Sequence, residues 1–204
     1  FCHNSQYVLP EKIKTVRKSV LSDGRWYKFS IDTTGVFKID KPFLEEIGIN
    51  TNDIDPKNIR LYGNGGGMLP VMNSDFRFED LKENAILVIG EEDSKFDNND
   101  YILFYGQGPH KWKIKGKSTL SEVKHEFNIY SDKAYYFINI SNESGKRIHT
   151  RPEIIGESEE TLNSFHDFKF LERDEINMFS AGQQWFGDGF NVINVRDYSI
   201  PFNS

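Results

Sequence analysis

The sequence predicts a mainly β fold, an antiparallel β-sandwich with one short helix near residues 41–47, and three observations carry that prediction. Aromatic residues make up 14% of the 204, with 17 Phe and 9 Tyr against 3 Met and 1 Cys. Such side chains suit a pleated, half-buried surface better than a helix. Short segments alternate apolar and polar residues with period two, as strands with one buried face do. Turn-forming residues separate these segments, and a single stretch carries helical start and stop signals.

Taken in order, residues 1–22 are polar with scattered apolar positions and read as an extended lead-in, and residues 23–204 read as one β-rich domain. Tyr27, Phe29 and Ile31 alternate with Lys28, Ser30 and Asp32, then Phe37 and Ile39 alternate with Lys38 and Asp40. Thr33-Thr34-Gly35 between them predicts a hairpin. The helix follows, with Asp40 as N-cap, Pro42 in the first turn, Leu44 and Ile47 on one face, and Gly48 as its stop. Residues 53–58 are turn-rich, residues 59–62 form a short strand, and Gly63-Asn64-Gly65-Gly66-Gly67 makes a glycine loop. Residues 85–89 and 101–105 are apolar enough to be central strands covered on both faces, with an acidic loop between them. Residues 135–140 are another strand. Residues 141–164 read as a long polar connection, with a solvated charge run at 157–160, and strand-like patterning resumes at 165–171 and 190–195.

Composition excludes several classes of function. The net charge is −6 and the cations are dispersed, whereas a nucleic-acid surface needs clustered Lys and Arg. No apolar run approaches the roughly 18 residues of a membrane-spanning helix. The one dense basic group, Lys111, Lys113, Lys115 and Lys117, alternates with Trp112, Ile114 and Gly116, which predicts a strand with a solvated, aggregation-guarding face. Cys2 has no second cysteine to pair with. The chain begins at Phe1, which predicts a processed or excerpted N-terminus. A thiol in a loose terminus lacks the held base that nucleophilic catalysis requires.

The candidate sites each meet a competing structural reading. The glycine loop has Met68 where a dinucleotide fingerprint needs glycine, lacks Gly-Lys-Ser/Thr, and runs on to Pro70 rather than into a helix; it reads as a tight turn with several positive-φ positions. Asp93, Asp97 and Asp100 form an oxygen-rich loop that admits calcium, although the EF-hand spacing is missing; the other reading is a solvated hairpin loop. The five histidines, His3, His110, His125, His149 and His166, are far apart in sequence without metal-ligand spacing. No Gly-x-Ser-x-Gly elbow occurs. The segment by itself is therefore expected to be non-catalytic and to need no cofactor, calcium excepted.

Several stretches in order resemble one family: Asp23-Gly24-Arg25-Trp26-Tyr27-Lys28, Thr34-Gly35-Val36-Phe37-Lys38-Ile39, the glycine loop with Leu61-Tyr62 before and Met68-Leu69-Pro70 after it, and Leu81-Lys82-Glu83-Asn84-Ala85. To these add Asn99-Asp100-Tyr101-Ile102-Leu103-Phe104-Tyr105-Gly106-Gln107-Gly108-Pro109, Asn128-Ile129-Tyr130-Ser131-Asp132, Glu172-Arg173-Asp174 and Gln184-Trp185-Phe186-Gly187-Asp188. Together they resemble the N-terminal region of the type IX secretion system sortases, gingipain-like cysteine peptidases of Bacteroidetes. The likeness spans most of residues 23–190, and the glycine loop and the block at 101–109 are its most specific parts.

That resemblance implies a prodomain-like β-sandwich ahead of a Cys/His peptidase domain lying beyond this chain. It implies a cell-surface protein, secreted across the inner membrane and associated with the outer membrane. Its family removes the C-terminal signal of secreted cargo and attaches the cargo to lipopolysaccharide. The implied partners are an outer-membrane β-barrel shuttle protein and the downstream peptidase domain, with cargo met indirectly. The family's catalytic pair belongs to the later domain, so no catalytic residue carries over. Some gingipain prodomains plug the peptidase pocket with a basic residue; the resemblance maps no residue of this chain to that role, and Lys111 and Arg147 are only basic residues in plausible loops. Trp112, Trp185 and Phe186 are the expected interface anchors, because aromatics commonly dominate interfaces. The rival is a carbohydrate-binding β-sandwich module of a secreted protein.

Overall fold

The computed structural model describes residues 18–114 and 123–149, together with 169–171, 176–177, 185–187, 193 and 199. The chain divides into two units, Phe1–Thr150 and Arg151–Ser204. In the first, nine strands follow in order among the described residues: β1 (Arg25–Ile31), β2 (Gly35–Asp40), β3 (Ile59–Tyr62), β4 (Glu83–Asn84), β5 (Leu87–Ile89), β6 (Tyr101–Gly106), β7 (Lys111–Ile114), β8 (Val123–Glu126) and β9 (Ala134–Ile140). The α-helix α1 (Lys41–Glu46) lies between β2 and β3, and single 3₁₀ turns occur at Val20–Ser22, Thr51–Asp53 and Pro56–Asn58. All strand pairs are antiparallel, in sheets ordered β1-β9-β3-β4, β2-β6-β5 and β7-β8. The mainly β, sandwich-like architecture is the one the sequence predicts.

The first two strands do not form the expected hairpin. β1 pairs with β9, Arg25 opposite Ile140 through Ile31 opposite Ala134. β2 pairs instead with β6, Gly35 opposite Gly106 through Asp40 opposite Tyr101. Residues 32–34 therefore form a corner that carries the chain from one sheet to the other. A hairpin and a corner share the same alternation of side chains. A two-residue hairpin turn needs positive φ, and Gly35 does not adopt it. The corner places Phe29 and Phe37 on facing sheets, with ring centroids 5.8 and 5.5 Å from Phe104. The core between the sheets also buries Leu44, Ile59, Ile86, Ile102 and Ile138. Full burial of one such side chain contributes roughly 1.5–3 kcal/mol.

The helix begins as predicted: the Asp40 carboxylate accepts the Phe43 N–H at 3.2 Å, and Pro42 stands in the first turn, where its missing N–H costs nothing. Leu44 is fully buried, and Gly48 closes the helix at φ +93°. The expectation of two central, doubly covered strands is corrected. β5 is an end strand, and β6, though central in its sheet, buries Ile102 and Phe104 on one face while Tyr105 on the other is exposed. In the second unit, Ile176 and Phe186 form an isolated antiparallel bridge with two 2.8 Å backbone hydrogen bonds. Of the strand segments foreseen at 165–171 and 190–195, residues 169–171 and 193 are described and none of them is in a strand; the rest of both segments lies outside the described residues, as do the charge run at 157–160 and Cys2.

Candidate functional site: a pinned apolar arm

The glycine loop leaves β3 into a space too tight for side chains. A Cβ on Gly63 would lie 2.5 Å from the Tyr136 ring, and one on Gly66 would lie 2.0 Å from the Gly108 carbonyl oxygen. Gly65 and Gly67 adopt φ of +74° and +101°, which L-residues with a Cβ avoid. The Gly63 N–H donates to the Lys82 carbonyl at 2.9 Å, and the Asn84 amide donates to the Gly63 carbonyl at 2.9 Å. Tyr136 ties the loop's neighbour in place: its hydroxyl accepts the Gln107 N–H at 2.7 Å and donates to the Gln107 carbonyl at 3.2 Å. Burial pushes this phenol above the ordinary tyrosine range, against the opposing Gln107 N–H, so it stays neutral and able to do both. The loop is thus a packing junction, as the tight-turn reading predicts. It brings together the two most specific blocks of the resemblance, 61–70 and 101–109.

From this junction springs an irregular arm, residues 68–79. Both of its ends are pinned. At the start, the Asn128 amide reaches the Gly67 carbonyl at 3.4 Å. At the end, the Asn64 side chain donates to the Asp80 carbonyl at 3.1 Å and accepts the Lys82 N–H at 2.9 Å. Asp80 also accepts from the Val20 N–H at 2.7 Å, the Leu81 N–H at 2.8 Å and the Ser19 hydroxyl at 2.9 Å. Burial tends to raise its carboxyl, but these three donors outweigh it and hold the group below the usual range. Between the pins the side chains point outward: Val71 is 95% exposed and Phe76 79%, with Leu69, Met72 and Phe78 also exposed. Phe76 and Phe78 meet edge to face at 5.2 Å. Single exposed apolar residues are ordinary, whereas here five fall within ten positions.

Beside the arm lies a cleft of about 210 Å³ lined by Asn64, Gly65, Phe78, Tyr105, Gln107 and Tyr136, among others. On the strands that carry this loop, the Arg60 guanidinium of β3 meets Glu83 of β4 at 2.8 Å. Burial acts to raise the Glu83 carboxyl, but the Arg60 hydrogen bond and the Lys146 N–H outweigh it and hold it below the carboxylate range. A carboxyl depressed in the folded state contributes stability above its unfolded pKa of roughly 4.3 and loses it as pH falls through the lower folded value. The stability gap between the native chain and Glu83→Gln is therefore expected to be full at neutral pH and to close in acid. Urea melts across that range check this; a gap independent of pH would contradict it.

No protein family matches the sequence, and no curated protein does. Among solved structures, the chain is similar to dimeric latent PorU from Porphyromonas gingivalis, at 25% identity over 66% of this chain with a TM-score of 0.47. It spans 11% of that protein's length. A superposition this loose carries no functional argument.

The structure spreads the sequence-nominated residues widely. The Asp93 carboxylate accepts the Lys95 N–H at 3.0 Å, and Asp100 accepts the Asp97 N–H at 2.6 Å, so both shape the turn. Phe96 between them is buried in the core, and the loop is less solvated than the sequence suggests. Among the described residues, no three His, Cys, Asp or Glu are placed to hold a metal ion, and no helix is long and apolar enough to cross a membrane. Trp112 is 42% exposed on the β7-β8 ribbon, and Trp185 is 49% exposed beside half-buried Phe186. Lys115 and Lys117 lie outside the described residues. The stem of Lys111 packs over Gly67, and the Arg147 guanidinium is engaged by Glu91 and by main-chain carbonyls. His110 and His125, distant in sequence, have ring centroids 5.9 Å apart because β7 pairs with β8. The arm itself was missed, although Leu69, Val71, Met72, Phe76 and Phe78 without strand or helix periodicity are its signature.

Proposed function

We propose that this chain is a non-catalytic domain of a gingipain-like type IX secretion sortase at the cell surface, acting as scaffold and docking surface. The observation that carries the reading is the arm at 68–79, apolar, outward-facing and fixed at both ends by Asn64, Asp80 and Asn128. Ordered ends reduce the entropy lost when such a patch binds a protein. Two of the stretches that resemble the sortases, the glycine loop and residues 101–109, meet at the base of the arm, which supports this reading. Its partners in this reading are the outer-membrane β-barrel shuttle and the peptidase domain. The cargo, a substrate of the peptidase, is met only indirectly.

The test is a Val71→Ser, Phe76→Ser double variant in the native host. Cargo is expected to keep its C-terminal signal and to fail to attach to surface lipopolysaccharide, while the melting temperature of the isolated chain stays unchanged. Normal processing by the variant would overturn the docking role. Retention of the unaltered chain on a glycan affinity column, lost in Tyr105→Ala, would instead favour a carbohydrate module.

A further inference from the structure

The arm is held at its ends and free between them. Inside it, the Asp75 N–H donates to the Met72 carbonyl at 3.1 Å and closes one turn. Beyond that turn, no hydrogen bond engages residues 76–79, main chain or side chain, among the described residues. The Phe76 and Phe78 rings meet at 5.2 Å, and Arg77 between them is exposed, with no ion pair or hydrogen bond among the described residues. The other described arginines are all held. Arg25 opposes Ile140 and Arg60 opposes Asn139 in strand ladders, and Arg147 clamps main-chain carbonyls. Lys95 is exposed on the acidic loop, but its N–H is bound by Asp93, the Asp97 N–H by Asp100, and Phe96 beside it is buried. Lys82, just past the arm, has its N–H on Asn64 and its carbonyl on the Gly63 N–H.

We propose that the arm is a site of limited proteolysis, cut between Arg77 and Phe78 by a trypsin-like endopeptidase, one whose pocket takes a basic side chain. Such an enzyme holds its substrate as an added strand, so the main chain on both sides of the bond must be free to pair. Exposed irregular tips meet that condition as they stand, whereas strands meet it only after local unfolding. Residues 76–79 meet it in the native fold, with Arg77 as the side chain for the pocket. The cut adds one water: the Arg77 carbonyl carbon becomes a carboxylate, and Phe78 keeps the nitrogen as a new amine. The two halves stay together, because β1 and β3 on one side of the cut pair with β9 on the other, and β2 pairs with β6. The new ends also stay pinned, Gly67 by Asn128 and Asp80 by Asn64. The cut therefore takes the apolar arm apart without dismantling the sandwich. The inference rests on the freedom of this backbone and not on what docks at the arm.

The test is trypsin digestion of the purified full chain, with N-terminal sequencing of the fragments over time. Within the described residues, the first new amino terminus is expected at Phe78. Arg77→Gln, an exposed change that breaks no contact, should remove that terminus and leave the later cuts as they were, and Arg77→Lys should keep it. On a sizing column the nicked chain should elute with the intact one, and its halves should part only in denaturant. Arg147→Met, which loosens the sandwich without touching the arm, should leave the Arg77 cut within about twofold while speeding the cut at Arg60 roughly a hundredfold, because strand bonds are reached only from the opened chain. A first cut elsewhere in the described residues, no Phe78 terminus, an Arg77 cut that accelerates as much as the Arg60 one, or halves that separate on nicking would each overturn the proposal. The assay contains no docking partner, so a failed docking test leaves each of these outcomes as decisive as before.

Discussion

Gly66→Ala is expected to destabilise the first unit by roughly 3 kcal/mol, the upper end of the overpacking range. The added methyl would stand 2.0 Å from the Gly108 oxygen, 2.5 Å from its carbonyl carbon and 2.6 Å from the Pro109 Cα. All three are main-chain atoms, so no side chain can rotate away. Gly108 cannot retreat either, because its own Cβ position already lies 2.6 Å from the Thr33 carbonyl carbon, and its N–H donates to the Thr34 hydroxyl at 2.9 Å. The clash therefore propagates to the corner joining the two sheets. For a chain of this size, such a loss lowers the melting temperature by roughly 6–12 °C. Gly35→Ala supplies the control: nothing lies within 4 Å of its Cβ position and its φ is not positive, so it should be neutral or gain up to about 1 kcal/mol from the unfolded state. Equal losses from the two, measured by thermal melting, would show that close packing at the loop is not what requires glycine.

Much of this fold was legible because local rules act within a few residues. Asp40, Pro42 and Gly48 announce the helix through capping, a tolerated proline and a positive-φ stop, all present in the structure. The strands announce themselves by alternation. Their partners do not, since pairing depends on contacts far along the chain: β1 meets β9 across more than a hundred residues. The corner at 32–34 looked like a hairpin for that reason. The turns of the glycine loop are legible in its composition, yet its demand for Gly66 comes from Gly108, which sequence proximity cannot reveal. The apolar arm is not legible in the sequence, because the exposure of Val71 and Phe76 is a tertiary property. The clamp made by Arg147 is hidden for the same reason, since Glu91 and the Pro56, Lys57 and Ile59 carbonyls lie 56 or more residues away.

Replacing Arg147 by methionine is the second large effect, expected to cost roughly 3 kcal/mol, because carbonyls held by a charged donor lose bonds of about 1.5–3 kcal/mol each and partly recover them from water. The guanidinium donates to the Pro56 and Lys57 carbonyls, both at 2.9 Å, to the Ile59 carbonyl at 3.3 Å, and to Glu91 at 2.8 Å. One side chain thus joins the 3₁₀ turn before β3, the start of β3 and the loop after β5. The backbone on either side follows it: the Gly145 N–H donates to the Lys57 carbonyl at 3.0 Å, and the Ile86 N–H to the Lys146 carbonyl at 3.1 Å. Methionine keeps the apolar stem, so the loss isolates the donors. Lysine keeps the charge but offers a compact ammonium instead of a planar fork, and Arg147→Lys should recover less than half of the stability. Glu91→Gln alone should cost under about 1 kcal/mol, since the carboxylate is a partly solvated partner. Urea denaturation of the three variants separates these contributions, and hydrogen exchange at Gly145 should accelerate selectively in Arg147→Met. If Arg147→Lys matched the native chain, a single positive charge would suffice, and the forked clamp on the carbonyls would not be what holds this side of the sandwich closed.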